Sequence, residues 1–127
     1  MGTNADAIER AIAGGPPALL GILDDEVEWD YVGAFPEVVT YHGPAEVARF
    51  LEEWTSGFEG FGIEAEEVVD ADDRVLVLVH QWGRGRDTGA AVENRTWQLF
   101  TFREGRVMHC RGYETEGEAR AAAGLAT

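Results

Sequence analysis

Asp30, His80, Gln98, His109 and Arg111 join acid, base or strong hydrogen-bonding chemistry to runs of apolar residues that alternate like strands. An Asp beside a His is an acid/base pair that can move a proton at carbon, and an apolar setting raises the carboxylate's basicity by disfavouring its charge. His109 or Arg111 close to Asp30 would act in the opposite sense. Arg111 offers a planar fork for a carboxylate or enolate, and Glu93 or Glu114 would engage it equally well. Gln98 can donate a hydrogen bond but no proton. The chemistry open to such a set is proton transfer, with Asp30, His109 and Arg111 as the candidate catalytic group. The bland alternatives are a solvent-facing Asp30 and a His80 that is simply a hydrogen-bonded core or surface residue.

Other chemistries find less support. His80 and His109 could be combined with Asp30 or Glu28 on paper, but no short ligand spacing joins them, so no metal is expected. The segment GRGRDTG has glycines without the strand-to-helix setting and Lys-Ser/Thr ending of a phosphate loop, and no cofactor is expected. Cys110 is the single cysteine and lies in a strand-like run, which reads as a buried, inert thiol. A formal net charge of −14 repels phosphate backbones and anionic lipid, so neither nucleic acid nor membrane is an expected partner. No apolar stretch approaches the ~20 residues that span a bilayer, and the N-terminus lacks a signal-peptide pattern. A cytoplasmic protein is the simplest expectation.

At 127 residues the chain has the size of one domain, 1–127, able to bury a core without disulfides or metal. Thr3 or Asn4 can cap a first helix with Ala7, Ile8, Ala11 and Ile12 on one face, ended by Gly14-Gly15. Pro16-Pro17 opens a second short helix, with Leu19, Leu20, Ile22 and Leu23 inward and Asp24-Asp25 as its stop. Glu26 to Val32 alternates as a strand, with Val27, Trp29 and Tyr31 on one face. Gly33 to Gly43 reads as a rim loop, and Pro44 starts a third helix with the stripe Val47, Phe50, Leu51 and Trp54. Strands follow from about Ile63, over Arg74 to Gly83, Val92 to Phe102 and Val107 to Glu114. Thr115 with Glu118 is a capping box before a short last helix. Helices gathered before one antiparallel sheet make an α+β domain, and a strongly curved sheet would wrap them.

The segments DDEVEWD, YHGPAEVARFLEEW, VLVLVHQWGRGRDTG and WQLFTFREGRVMHCRGYETEGEA resemble the nuclear transport factor 2-like superfamily. Within it, the chain is most similar to SnoaL-like polyketide cyclases and ketosteroid isomerase relatives. The resemblance implies a cone-shaped, curved antiparallel sheet wrapped around three N-terminal helices, an apolar pocket, and commonly a homodimer formed through the sheet's outer face. It also implies Asp30 as general base and places Gln98 near the position of an oxyanion-stabilising Asp. Residues 4–13 contain no tyrosine to match the isomerase's, which points away from steroid chemistry.

Strand phase decides which side chains share the pocket. If Glu104-Gly105 is a two-residue hairpin turn, Phe100 faces His109 and Gln98 faces Arg111; a bulge would slip the pairing by one and turn His109 to the other face. The resemblance favours His109, Arg111 and Tyr113 inside, with Trp29, His80, Trp82, Gln98 and Phe100 completing the pocket. Two functions follow: a cofactor-free cyclase or isomerase acting on an apolar carbonyl compound, or a non-catalytic binding or dimerisation module of the same fold. Val75, Val77 and Val79 opposite Leu76 and Leu78 make a strand apolar on both faces, which also suggests a second copy.

Overall fold

The computed structural model describes residues 3–31 and 39–125. Helix α1 (Thr3–Gly14) buries Ile8, Ala11 and Ile12, the stripe expected from their spacing. Gly15, at φ 84°, adopts a backbone conformation costly for any side chain and so separates α1 from α2 (Pro16–Leu20). α2 is shorter than its sequence suggests. Leu23 and the pair Asp24-Asp25 belong to strand β1 (Leu23–Tyr31), with Leu23 buried in the core.

The span expected as a rim loop contains a short strand, β2 (Val39–His42), paired antiparallel to β1. Val32 and the loop residues up to 38 lie outside the described residues. Helix α3 (Gly43–Ser56) follows, with Pro44 in its first turn and Val47, Phe50 and Leu51 buried. Strands β3 (Phe58–Ala71), β4 (Arg74–Gly85), β5 (Ala91–Arg103) and β6 (Arg106–Tyr113) complete the sheet. α4 (Glu116–Ala122) closes the described chain, its first turn capped where Thr115 Oγ1 accepts from the Glu118 N–H at 3.2 Å.

The six strands form one curved sheet in the order β2-β1-β6-β5-β4-β3. All neighbours run antiparallel except β1 and β6, which are parallel. The curved, antiparallel sheet around the N-terminal helices expected above is present, with this one parallel pair as its exception. Strands about 80 residues apart in sequence have no turn between them to announce their direction.

One face of the sheet carries Val27, Trp29, Val75, Val77, Val79, Phe100, Val107 and Cys110 and packs against α1, α2 and α3 in the main core. At ~1.5–3 kcal/mol for each fully buried large apolar side chain, this cluster dominates the favourable side of folding. The opposite face holds a smaller cluster of Leu76, Trp97 and Leu99 under Ala119 and Ala123. The apolar outer face of β4, read above as a sign of a second copy, is therefore covered in part by α4 of the same chain. No helix among the described residues is long and apolar enough to cross a membrane.

Candidate functional site

Between the sheet's inner face and the three helices lies a cavity of about 370 Å³. Its apolar wall includes Ile12, Leu19, Trp29, Phe50, Trp54, Phe61, Val79 and Phe100. Trp29 meets Phe100 edge-on at 6.1 Å, and Phe50 stacks on Tyr41 at 4.6 Å. Strand alternation sends a row of uncharged polar side chains into this space: Asn94, Thr96 and Gln98 from β5, and Gln81 from β4 opposite Asn94. Gln98 Nε2 donates to Thr96 Oγ1 at 3.3 Å, and the Cys110 thiol donates to Gln98 Oε1 at 3.8 Å. Gly112, paired with Gln98, leaves open space where a side chain would stand.

The phase of β6 is set by a bulge. Glu104 (φ 52°) and Gly105 (φ 79°) form the two-residue turn, and Arg103 pairs with Arg106 as that turn requires. Between Phe102–Val107 and Thr101–His109 the ladder gains one residue, Met108, so Phe100 faces Cys110 rather than His109. The slip turns His109, Arg111 and Tyr113 onto the outer face. This corrects their expected inward orientation, and both sequence options were half right: the turn is tight, and the bulge sits two residues beyond it. Tyr113 borders the cavity but packs its ring with the outer cluster, where the Arg111 guanidinium lies 5.8 Å from the ring centre.

Asp30 meets its expected partners on that same face. β1 and β6 pair Asp30 with Arg111 and Glu28 with His109, opposite the buried Trp29 and Cys110. Asp30 Oδ2 lies 2.8 Å from His109 Nε2 and 3.7 Å from an Arg111 nitrogen, while Thr40 Oγ1 donates to Oδ1 at 2.7 Å. The Asp30 side chain is 11 % exposed. Burial pushes its pKa up, but the hydrogen bonds from Thr40 and His109 and the positive charges of His109 and Arg111 outweigh it, holding the carboxyl below its usual range. Asp30 borders the cavity, yet its carboxylate is spent on these partners.

His80 and Trp82 also face outward, since β4 turns Val77, Val79 and Gln81 to the cavity. The rings of His80 and Trp82 lie 4.8 Å apart. His80 Nδ1 is 3.0 Å from Glu64, and Nε2 is 3.1 Å from Glu93 but poorly aligned for a hydrogen bond. Glu64 and then Glu93 raise the His80 pKa against burial and Arg95, stabilising the cationic form of the ring relative to a free imidazole. Among the described residues, Glu64, Glu66 and His80 bring ligand atoms within 4.8 Å of one another. Arg95 already serves as counter-cation there, at 2.7 Å from Glu66 and 3.2 Å from Glu93.

Trp29, Gln98 and Phe100 thus line the cavity, Asp30, His109 and Arg111 form a separate cluster behind it, and His80 and Trp82 stand apart from both. Missed from the sequence were Gln81, Asn94, Thr96 and Gly112. The signal was present: Gln81 shares its phase with Val77 and Val79, the side of β4 that burial selects.

A curved sheet cupping helices around an apolar cavity defines the nuclear transport factor 2-like, or cystatin-like, class of fold. Residues 5–110 match the SnoaL-like domain family, and the chain belongs to it. No curated protein matches the sequence. Among solved structures, the chain is similar to a putative SnoaL-like polyketide cyclase from Jannaschia sp., at 18% identity and TM-score 0.76 over 95% of this chain and 90% of that one. It is also similar to TerC co-crystallised with polyporic acid, at 19% identity and TM-score 0.74 over 96% and 98% of the two chains. A hypothetical protein with a ketosteroid isomerase-like fold from Catenulispora acidiphila, in complex with trimethylamine, matches at 17% identity and TM-score 0.70, over 97% and 93%.

Proposed function

We propose that this protein binds a small, largely apolar, uncharged molecule in the inner cavity. The observation that carries the reading is the cavity itself: about 370 Å³, walled by Trp29, Phe50, Trp54 and Phe100, with uncharged donors and acceptors on one side. Small-ligand sites take this form, apolar walls with a few placed polar groups. An ionic ligand would find little inside to neutralise it, because the charges of Asp30 and Arg95 are engaged on the outer face and Glu114, the other charged lining residue, is exposed to solvent. Structures of similar fold were crystallised with small molecules, which agrees with this use of the cavity. The test uses the neutral fluorescent probe N-phenyl-1-naphthylamine: saturable binding with quenching of Trp29 and Trp54 supports the reading, and its absence, together with a Leu19→Trp variant indistinguishable from wild type, refutes it.

Catalysis is the second reading, favoured by the 2.8 Å contact between Asp30 and His109 at the cavity's border. In it Asp30, which borders the cavity, is the base, with His109 as its acid/base partner and Arg111 as a counter-charge behind them, for cyclisation or isomerisation of a carbonyl compound. Asp30→Asn should then cost ~10²- to 10⁴-fold in turnover with little change in affinity. Equal turnover by the variant would exclude it. The depressed Asp30 pKa weighs against a base of useful strength, which is why binding is placed first.

A homodimer remains an expectation of the family. With α4 over part of the outer face, its contact would use the charged remainder around Asp30, His109 and Arg111. Light scattering at micromolar concentration should return twice the chain mass; a strictly monomeric species would refute it.

A further inference from the structure

In the back wall of the cavity the Cys110 thiol stands against the Gln98 side chain. Gln98 Oε1 accepts from the thiol at 3.8 Å, and Nε2 gives one of its two hydrogens to Thr96 Oγ1 at 3.3 Å. The second Nε2 hydrogen remains. Thr96 Oγ1, occupied as an acceptor, still has its own proton to donate. Both residues line the cavity at neighbouring inward positions of β5, so each keeps a hydrogen free for a ligand there.

The thiol can hold this arrangement only while protonated. Cys110 is fully buried, and burial, reinforced by the negative charge of Asp30, keeps its pKa well above the usual value. The thiol is thereby favoured in its protonated form, a weak donor.

We propose that Cys110 is a positioning residue for ligand selection: it orients Gln98 so that Gln98 Nε2 and Thr96 Oγ1 present hydrogens to the cavity, and the group recognised is a neutral carbonyl. The inference rests on the cavity being the binding site. It adds that the ligand carries a neutral carbonyl oxygen that accepts from this pair, rather than being a hydrocarbon or an amine donor.

The experiment compares 1-tetralone with tetralin, a pair of nearly equal shape that differ in the carbonyl, by competition against N-phenyl-1-naphthylamine. Wild type should prefer the ketone by about fivefold or more, the worth of an ordinary buried hydrogen bond. Cys110→Ala releases the amide and should bring the ratio close to one. Cys110→Ser, which keeps a donor at that place, should retain the preference, and Gln98→Met should abolish it. A melting curve on each variant shows that it is folded; should Cys110→Ala fail to fold, the Ser and Met variants decide. A wild-type ratio near one, or a preference undiminished in the Ala or Met variant, overturns the proposal while leaving the cavity's role intact. If neither compound nor the probe binds wild type, the cavity reading falls and this proposal with it.

Discussion

Gly112→Val should make the protein more stable and a weaker binder, two effects that a substitution at a plain core or surface position would not combine. Gly112 lies on β6 opposite Gln98, on the cavity side, with an ordinary strand backbone and nothing within 4 Å of where a Cβ would stand. Replacing glycine inside a strand recovers backbone entropy worth ~0.5–1 kcal/mol. A β-branched residue in a strand adds part of a scale that spans ~1 kcal/mol. Burial of the added methyls contributes less than the full ~0.8 kcal/mol per carbon, because the cavity leaves one side of them without partners. The sum is about 1–1.5 kcal/mol, a rise in Tm of roughly 3–8 °C for a chain of this size. Meanwhile the isopropyl group fills the space next to the Gln98 amide, and affinity for N-phenyl-1-naphthylamine should fall at least tenfold. Circular dichroism melts and a fluorescence titration measure the two effects. A variant that melts lower than wild type would refute the placement of Gly112 against open space. A more stable variant with unchanged affinity would show that the ligand sits elsewhere.

Phe50→Ala should cost ~3 kcal/mol, near the low end for a large aromatic, because Phe50 lines the cavity and already lacks partners on that side; chemical denaturation should show the loss, and a change under 1 kcal/mol would contradict its packing against Tyr31 and its stacking on Tyr41. His80, whose pKa is raised by Glu64 and Glu93, stabilises the fold fully below its unfolded pKa of about 6.5, and that contribution is lost as pH rises through the higher folded value. Tm should therefore decline on the alkaline side of 6.5 in wild type and decline less in His80→Gln; parallel curves would show that the imidazolium does not hold Glu64, Glu93 and their strands together. Asp30 has the opposite sign: its depressed pKa stabilises above about 3.8 and is lost on acidification through the lower folded value, so Asp30→Asn should flatten the acid limb of the same profile.

Much of the architecture was legible because it is written in local periodicity. Ile8, Ala11 and Ile12 mark one helix face and Val47, Phe50 and Leu51 another, while Thr115 with Glu118 announces α4; each rests on contacts within a turn or two of helix. The family was legible too, since its segments persist in order along the chain. Strand β2 escaped because four residues after a proline-containing stretch carry too short a pattern to read. The site was decided by long-range geometry. The alternation in β6 states that His109, Arg111 and Tyr113 share a face but not which face, and the extra residue at Met108 settles it by shifting the ladder after a turn that reads as regular. Asp30 was correctly associated with His109 and Arg111, yet only the parallel pairing of β1 with β6 brings them together, and it does so behind the cavity. Likewise Gln81, Asn94 and Thr96 acquire a role only when the helices select one face of β4 and β5 to cover. Period is a property of adjacent residues, whereas phase, pairing and facing depend on what packs across the sheet, and those were the choices that tertiary structure made.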